Sequence, residues 1–243
     1  MIEKNNNRIL VAGASGAIGR RLCRLLVEEG WHVTGVTRSV EKAATLHTIG
    51  VTPVVVDVFD EEKLRRAVAE AGPAIVMHQL TDLPPGLDPA KMAEARIRNA
   101  RTRDIGTRNL IAAAIASGVK RMVAQSIAFA YVPGAIPYRE DSPLNLDDPS
   151  MGLTARAVAS LEHQVMNASF EGVVLRYGKL YGPGTGFNSP SSGGPVHVDA
   201  AADAARRALT RGHGVYNIAE EDGTVCNRKA VDELGWNPCF RID

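Results

Sequence analysis

The chain has 243 residues, 45% hydrophobic and 23% charged, with a formal net charge of +1. That length buries a sizeable core without disulfides or metals. The even charge balance excludes bulk electrostatic binding of nucleic acid or an anionic membrane.

In chain order, short β-branched runs alternate with longer helical patterns. Strands are expected at Arg8–Ala12, His32–Thr37, Val54–Val56, Ala74–His78, Arg121–Gln125 and Val173–Arg176. Helices are expected near Ile18–Glu29, Glu41–His47, Glu61–Ala71, Pro89–Ser117 and Met151–Ser169. Gly30, Gly50, Gly72 and Gly118 follow helices, as C-terminal capping requires. Strict alternation of this kind predicts βαβ crossovers and an α/β fold, a doubly wound parallel sheet of Rossmann type. After the fifth strand the regularity ends. Residues 130–149 and 181–196 are rich in Pro, Gly, Ser and Asp and read as long loops at the carboxyl ends of strands, where binding loops sit. A short helix at Asp199–Thr210 and a strand at Val215–Ile218 follow. Residues 1–170 are therefore read as the dinucleotide-binding core. Residues 171–243 are read as the remaining core strand with a small substrate-loop region, in one compact unit.

Three cysteines, Cys23, Cys226 and Cys239, show neither metal nor redox spacing and fit a reducing cytoplasm. The polar opening MIEKNNNR has no secretory pattern, and the longest apolar runs are strand-sized. No His, Cys, Asp or Glu grouping has metal-ligand spacing, so no metal is expected.

The strongest motif is the run Gly13-Ala14-Ser15-Gly16-Ala17-Ile18-Gly19, placed between the first strand and the first helix. Gly13 suits a tight turn, Gly16 a close backbone approach by a pyrophosphate, and Gly19 close packing of helix on sheet. Ser15 can add a hydroxyl donor. The helix N-terminus offers free N–H groups and positive potential to phosphates. The second strand ends in Thr37-Arg38-Ser39 without an acid, which favours the 2′-phosphate of NADP(H) on Arg38 over the ribose hydroxyls of NAD(H), though NAD(H) stays open. Asp57 can contact the adenine amino group or cap the helix near Glu61. Val58, Gln79, Leu80 and Thr81 are expected to complete the dinucleotide site.

These features resemble the short-chain dehydrogenase/reductase superfamily, in its extended or atypical branch with the NAD-dependent epimerase/dehydratases. The resemblance covers nearly the whole chain. GASGAIG, Gly106-Thr107-Arg108-Asn109-Leu110, LRYGKLYGPGTGF (175–187), PVHVDAAADAARRAL (195–209) and ELGWNP carry it. It implies an oxidoreductase or epimerase-like enzyme with a nicotinamide cofactor, and a possible homodimer. The family's proton relay is a Tyr-x-x-x-Lys pair after the fifth strand, with Ser or Thr at that strand's end. Here Met151 stands for the tyrosine, Ala155 for the lysine and Ile127 for the hydroxyl residue, with Ser126 beside it. Neither methionine nor alanine transfers protons. Arg103 replaces the asparagine that often precedes Gly-Thr.

A non-standard proton donor is therefore expected from the loops. Tyr177, Lys179, Ser126 and Tyr131 are the candidates, with Tyr138, Thr81 and Asp82 in similar positions. His78, His163 and His197 read as structural. The short segment after the sixth strand points to a small, non-nucleotide substrate. Two alternatives stand beside hydride transfer: non-redox elimination, isomerisation or cyclisation on the same scaffold, and a non-catalytic NADP(H) sensor.

Overall fold

Residues 7–242 are described by a computed structural model. β1 (Arg8–Ala12) leads through α1 (Ala17–Glu28) to β2 (His32–Thr37), α2 (Val40–Thr48), β3 (Thr52–Val55) and α3 (Glu61–Ala71). The chain then forms β4 (Ile75–His78), α4 (Met92–Arg101), α5 (Thr107–Ala116), β5 (Arg121–Ile127), α6 (Gly152–Met166) and β6 (Glu171–Tyr177). It closes with β7 (Lys179–Tyr181), β8 (Pro195–His197), α7 (Val198–Arg207), β9 (Gly214–Ile218) and α8 (Arg228–Leu234).

Seven strands form one parallel sheet in the order β3-β2-β1-β4-β5-β6-β9. β1 sends its first crossover to β2 on one side, and β4 returns on its other side. Strand order reverses there, so a crevice opens beyond the carboxyl ends of β1 and β4. The expected α/β fold is thus the observed one. Successive residues of β1 feed opposite layers. Ile9 and Val11 join Leu22, Leu26 and Trp236 of α1 and the C-terminal segment, whereas Leu10 and Ala12 join Leu64, Leu110 and Leu161 of α3, α5 and α6. Both faces of the sheet are covered, which is why its strands read as continuous apolar runs rather than alternating ones.

Three expectations are corrected. The helix expected over Pro89–Ser117 is two helices joined by a π-turn at Thr102–Gly106, entered through short 3₁₀ turns at Pro85–Leu87 and Pro89–Lys91. At the π-turn the backbone of Gly106 closes on Val58, where a Cβ would lie 3.2 Å from the valine side chain. Asp60, not Asp57, caps α3 by accepting from the Lys63 N–H; Asp57 closes the preceding turn onto Phe59. The loop expected over 181–196 begins and ends in the small parallel pair β7–β8, hidden among Pro and Gly. Among the described residues no helix is long and apolar enough to cross a membrane.

Candidate functional site

A cleft of about 1460 Å³ lies over the crevice between β1 and β4. It exceeds the roughly 300–1,000 Å³ of an ordinary small-molecule pocket, leaving room for two molecules. Gly13, Ser15, Gly16, Ala17, Ile18 and Gly19 border it. Two of these glycines answer to the chain itself. Gly13 has φ +86° and a Cβ there would sit 2.3 Å from the Gln79 carbonyl oxygen; a Cβ on Gly19 would sit 2.2 Å from that of Gly13. Gly16 is different. Its φ of −74° is ordinary, and a Cβ would meet only the Gly13 carbonyl, at 3.3 Å. The space it keeps open belongs to the cleft. Gly16 is also the N-cap of α1 and offers no side-chain cap, and the first turn of α1 holds no acid. Unpaired amides and positive helix potential therefore face the cleft, as a diphosphate requires. Arg20, exposed on that turn, adds a cation.

Beyond the end of β2 the cleft is bounded by Thr37, Arg38, Ser39 and Lys42. Ser15 shares a hydrogen bond with Thr37, their hydroxyls 3.2 Å apart. Arg38 is half exposed and pairs with Asp82 at 3.1 Å; that bond, opposed by partial burial, raises the pKa of the guanidinium. Val58, Gln79, Leu80 and Thr81 line the cleft, whereas Asp57 lies outside its wall. His78 is fully buried and bonded through Nε2 to the Thr107 hydroxyl at 2.8 Å. Burial pushes its pKa down to about 4, so it is a neutral strut. His197 caps α7, and His163 is exposed beside Asn167.

The catalytic candidates divide. Tyr177 and Lys179 border the cleft, but not as a pair. The Tyr177 hydroxyl meets Gln79 Nε2 at 3.5 Å, and burial pushes its pKa well above the usual phenol range. Lys179 turns away and donates to the Ser192 carbonyl at 2.8 Å. Ser126 and Tyr131 belong to one buried network. Ser126 donates to Glu162 Oε1 at 2.6 Å, and Arg176 grips Glu162 through Nε at 2.9 Å and Nη2 at 2.7 Å. A third nitrogen of Arg176 reaches the Tyr131 hydroxyl at 3.2 Å, which in turn donates to Asn217. Tyr131 lies outside the cleft wall, stacked on Tyr138 with ring centres 5.1 Å apart. This network ties α6 to β5 and β6. Ser126 also borders the cleft.

Ile127, Ala130, Ala155 and Val158 form one buried cluster, with Met151 and Leu144 packed on it, and Ile127 borders the cleft.

Arg20 and Arg103 were not among the expected site residues. Arg103 is 5% exposed, borders the cleft, and its Nε has no hydrogen-bond partner. A signal existed: Ala95, Asn99, Arg103, Gly106 and Leu110 recur at helical spacing along one stripe and are buried together. Arginine does not belong on such a stripe without a reason.

Fold, crevice and glycine turn together define a dinucleotide-binding α/β protein. Residues 13–210 match the family described as NAD(P)H-binding, and the chain belongs to that family. A Streptomyces protein named 3-diazoavenalumate denitrifying reductase is 45% identical over 183 residues, 74% of this chain and 58% of the relative. A 2-alkyl-3-oxoalkanoate reductase of Stenotrophomonas maltophilia is 30% identical over 182 residues, 73% of this chain and 52% of the relative. The chain thus spans just over half the length of these relatives. Among solved structures, the UDP-glucose 4-epimerase of Thermotoga maritima has a TM-score of 0.76 at 21% identity, covering 96% of this chain and 94% of that one. That likeness shows the fold.

Proposed function

We propose that the chain is an NADP(H)-dependent reductase of a small, non-nucleotide acceptor whose reduction draws no proton from a tyrosine–lysine relay. The apolar cluster of Ile127, Met151 and Ala155 at the relay positions carries this reading. The backbone of Gly13–Gly19 would hold the diphosphate, with Arg20 beside it, and Arg38 and Lys42 would take the 2′-phosphate. Leu80, Ile127, Phe129 and Leu180 give the acceptor end an apolar wall. Bound reduced nicotinamide supplies hydride, and an arenediazonium needs nothing more: ArN₂⁺ and NADPH give ArH, N₂ and NADP⁺. The Streptomyces relative, named for denitrifying a diazo compound, supports that acceptor class. Tyr177 stands at the cleft as the donor candidate for an acceptor that does need a proton, such as a carbonyl.

The test uses 4-hydroxybenzenediazonium and NADPH deuterated at C4, in ordinary water, against heat-denatured protein. Expected are protein-dependent loss of absorbance at ~340 nm, the reduced-nicotinamide band, and deuterium on the ring carbon. Reduction of a panel of aldehydes and ketones, with none of the diazonium, would overturn the reading.

A further inference from the structure

Arg103 sits in the π-turn between α4 and α5, a geometry that often marks functional sites. It is nearly fully buried, yet among the described residues no carboxylate or carbonyl pairs with its guanidinium. Glu162 is the acid it feels, but both oxygens of Glu162 are held by Ser126 and Arg176. Burial lowers the pKa of Arg103 to about 10, which leaves it charged at neutral pH. A buried, uncompensated cation is costly and normally finds a partner. Here the open direction is the cleft.

A second orphan lies on the same wall. Gln79 Oε1 is buried without a donor. Apolar side chains complete the surroundings: Leu83, Phe129 and Phe187 border the cleft at 37%, 39% and 56% exposure. The chain therefore offers one cation, one acceptor and an apolar rim.

We infer that Arg103 is the anchor for an anionic oxygen group on the substrate, so that the acceptor pairs an apolar, aromatic-sized body with a carboxylate or phenolate. This rests on the reductase reading and names its substrate class. A planar fork of donors suits a carboxylate held by two parallel bonds. The competing source of the same anion chemistry is a phosphate of the dinucleotide, and the two separate by experiment.

Protein loaded with NADPH is titrated calorimetrically with trans-cinnamate and with neutral, similarly shaped cinnamamide. Cinnamate should bind the wild type at least tenfold tighter than the amide. R103Q should lose at least tenfold in cinnamate affinity, leave the amide unchanged and keep NADPH affinity within twofold. R103K should retain part of the preference for cinnamate. Removal of an unpaired buried charge should hold or raise the melting temperature. Equal binding of cinnamate and cinnamamide by the wild type would overturn the inference. So would a loss of NADPH affinity in R103Q, which would assign Arg103 to the cofactor, or a marked fall in melting temperature, which would assign it to the fold. None of these readouts uses turnover. Reduction of aldehydes and ketones without the diazonium, beside intact cinnamate selectivity, would overturn that reading and leave the anion anchor standing.

Discussion

The two ends of the cleft are built from different materials. At β1 and β2 the site is made of backbone: a left-handed Gly13, an open Gly16 and the free amides of α1. At β5 and α6 the proposed acceptor end depends on side chains, and there Ile127, Ala155 and the partly buried Met151 pack in one apolar cluster. A backbone-built site is imposed by the topology of the sheet and resists piecemeal loss. A site made of side chains can change residue by residue on an unchanged fold. On the proposed function, an intact dinucleotide end beside an apolar acceptor end would make hydride chemistry and proton chemistry separable on this scaffold.

If the ends are independent, damage to the buried network at the acceptor end should leave the cofactor end intact. Glu162→Ala strands Arg176 inside the protein and frees Ser126, and removing one partner of a buried pair costs about 3–5 kcal/mol. Urea denaturation should show that loss. NADPH affinity of the folded variant should stay within twofold of wild type. A parallel loss of affinity would break the comparison.

His78, on β4 between the two ends, gives the next largest effect. Its folded pKa of about 4 lies below the unfolded value of 6.5, so between these values the unfolded chain binds more protons. Stability is then full above about pH 7 and is lost as pH falls through 6.5 towards 4, up to about 3 kcal/mol from this residue. His78→Asn, which keeps a partner for Thr107, should flatten that part of the stability curve. Denaturation at pH 7.5 and 4.5 checks it; an unchanged pH slope in the variant would assign the acid loss elsewhere.

Legibility followed the same division. α3 and β2 lie over the expected residues because caps, glycines and β-branched runs are local signals. The glycine turn was legible for the same reason: its requirements are backbone ones, written in glycines. Asp57 misled because an acid before a helix looks like a cap, and only geometry shows Asp60 in that role. The partners of Ser126 and Tyr131 lie far along the chain: Glu162, 36 residues beyond Ser126, accepts from its hydroxyl. Arg103 stands on a buried helical stripe, which is a local pattern, but the cleft it borders is assembled from distant segments. Pairings across long sequence separation are set by topology and leave no local trace.

Gly16 sharpens the contrast between a glycine the chain needs and one the ligand needs. Gly16→Ala meets no forbidden φ and only one atom at 3.3 Å, so its stability cost should stay within about 1 kcal/mol, as for an N-cap change. NADPH affinity should nevertheless fall about tenfold, or about 1.4 kcal/mol, because the added methyl occupies the diphosphate's approach. Calorimetry and a thermal melt together decide it. Affinity and stability lost in proportion would mean Gly16 serves the fold.

The smallest effect concerns the choice of dinucleotide, and its sign is the informative part. Arg38 is half exposed and already held by Asp82 at 3.1 Å, so a 2′-phosphate must compete with a carboxylate for it. Exposed charge pairs are weak, commonly below about 1 kcal/mol, which bounds both the competition and its release. Arg38→Gln should lower NADPH affinity about fivefold and leave NADH within twofold. Asp82→Asn should do the reverse, raising NADPH affinity two- to threefold by freeing the guanidinium while NADH does not change. Both shifts should shrink as salt rises from about 50 to 500 mM, since the charges face solvent. Should Asp82→Asn weaken NADH instead, the carboxylate would be the group that contacts the ribose, and the adenosine end would be built for NAD(H).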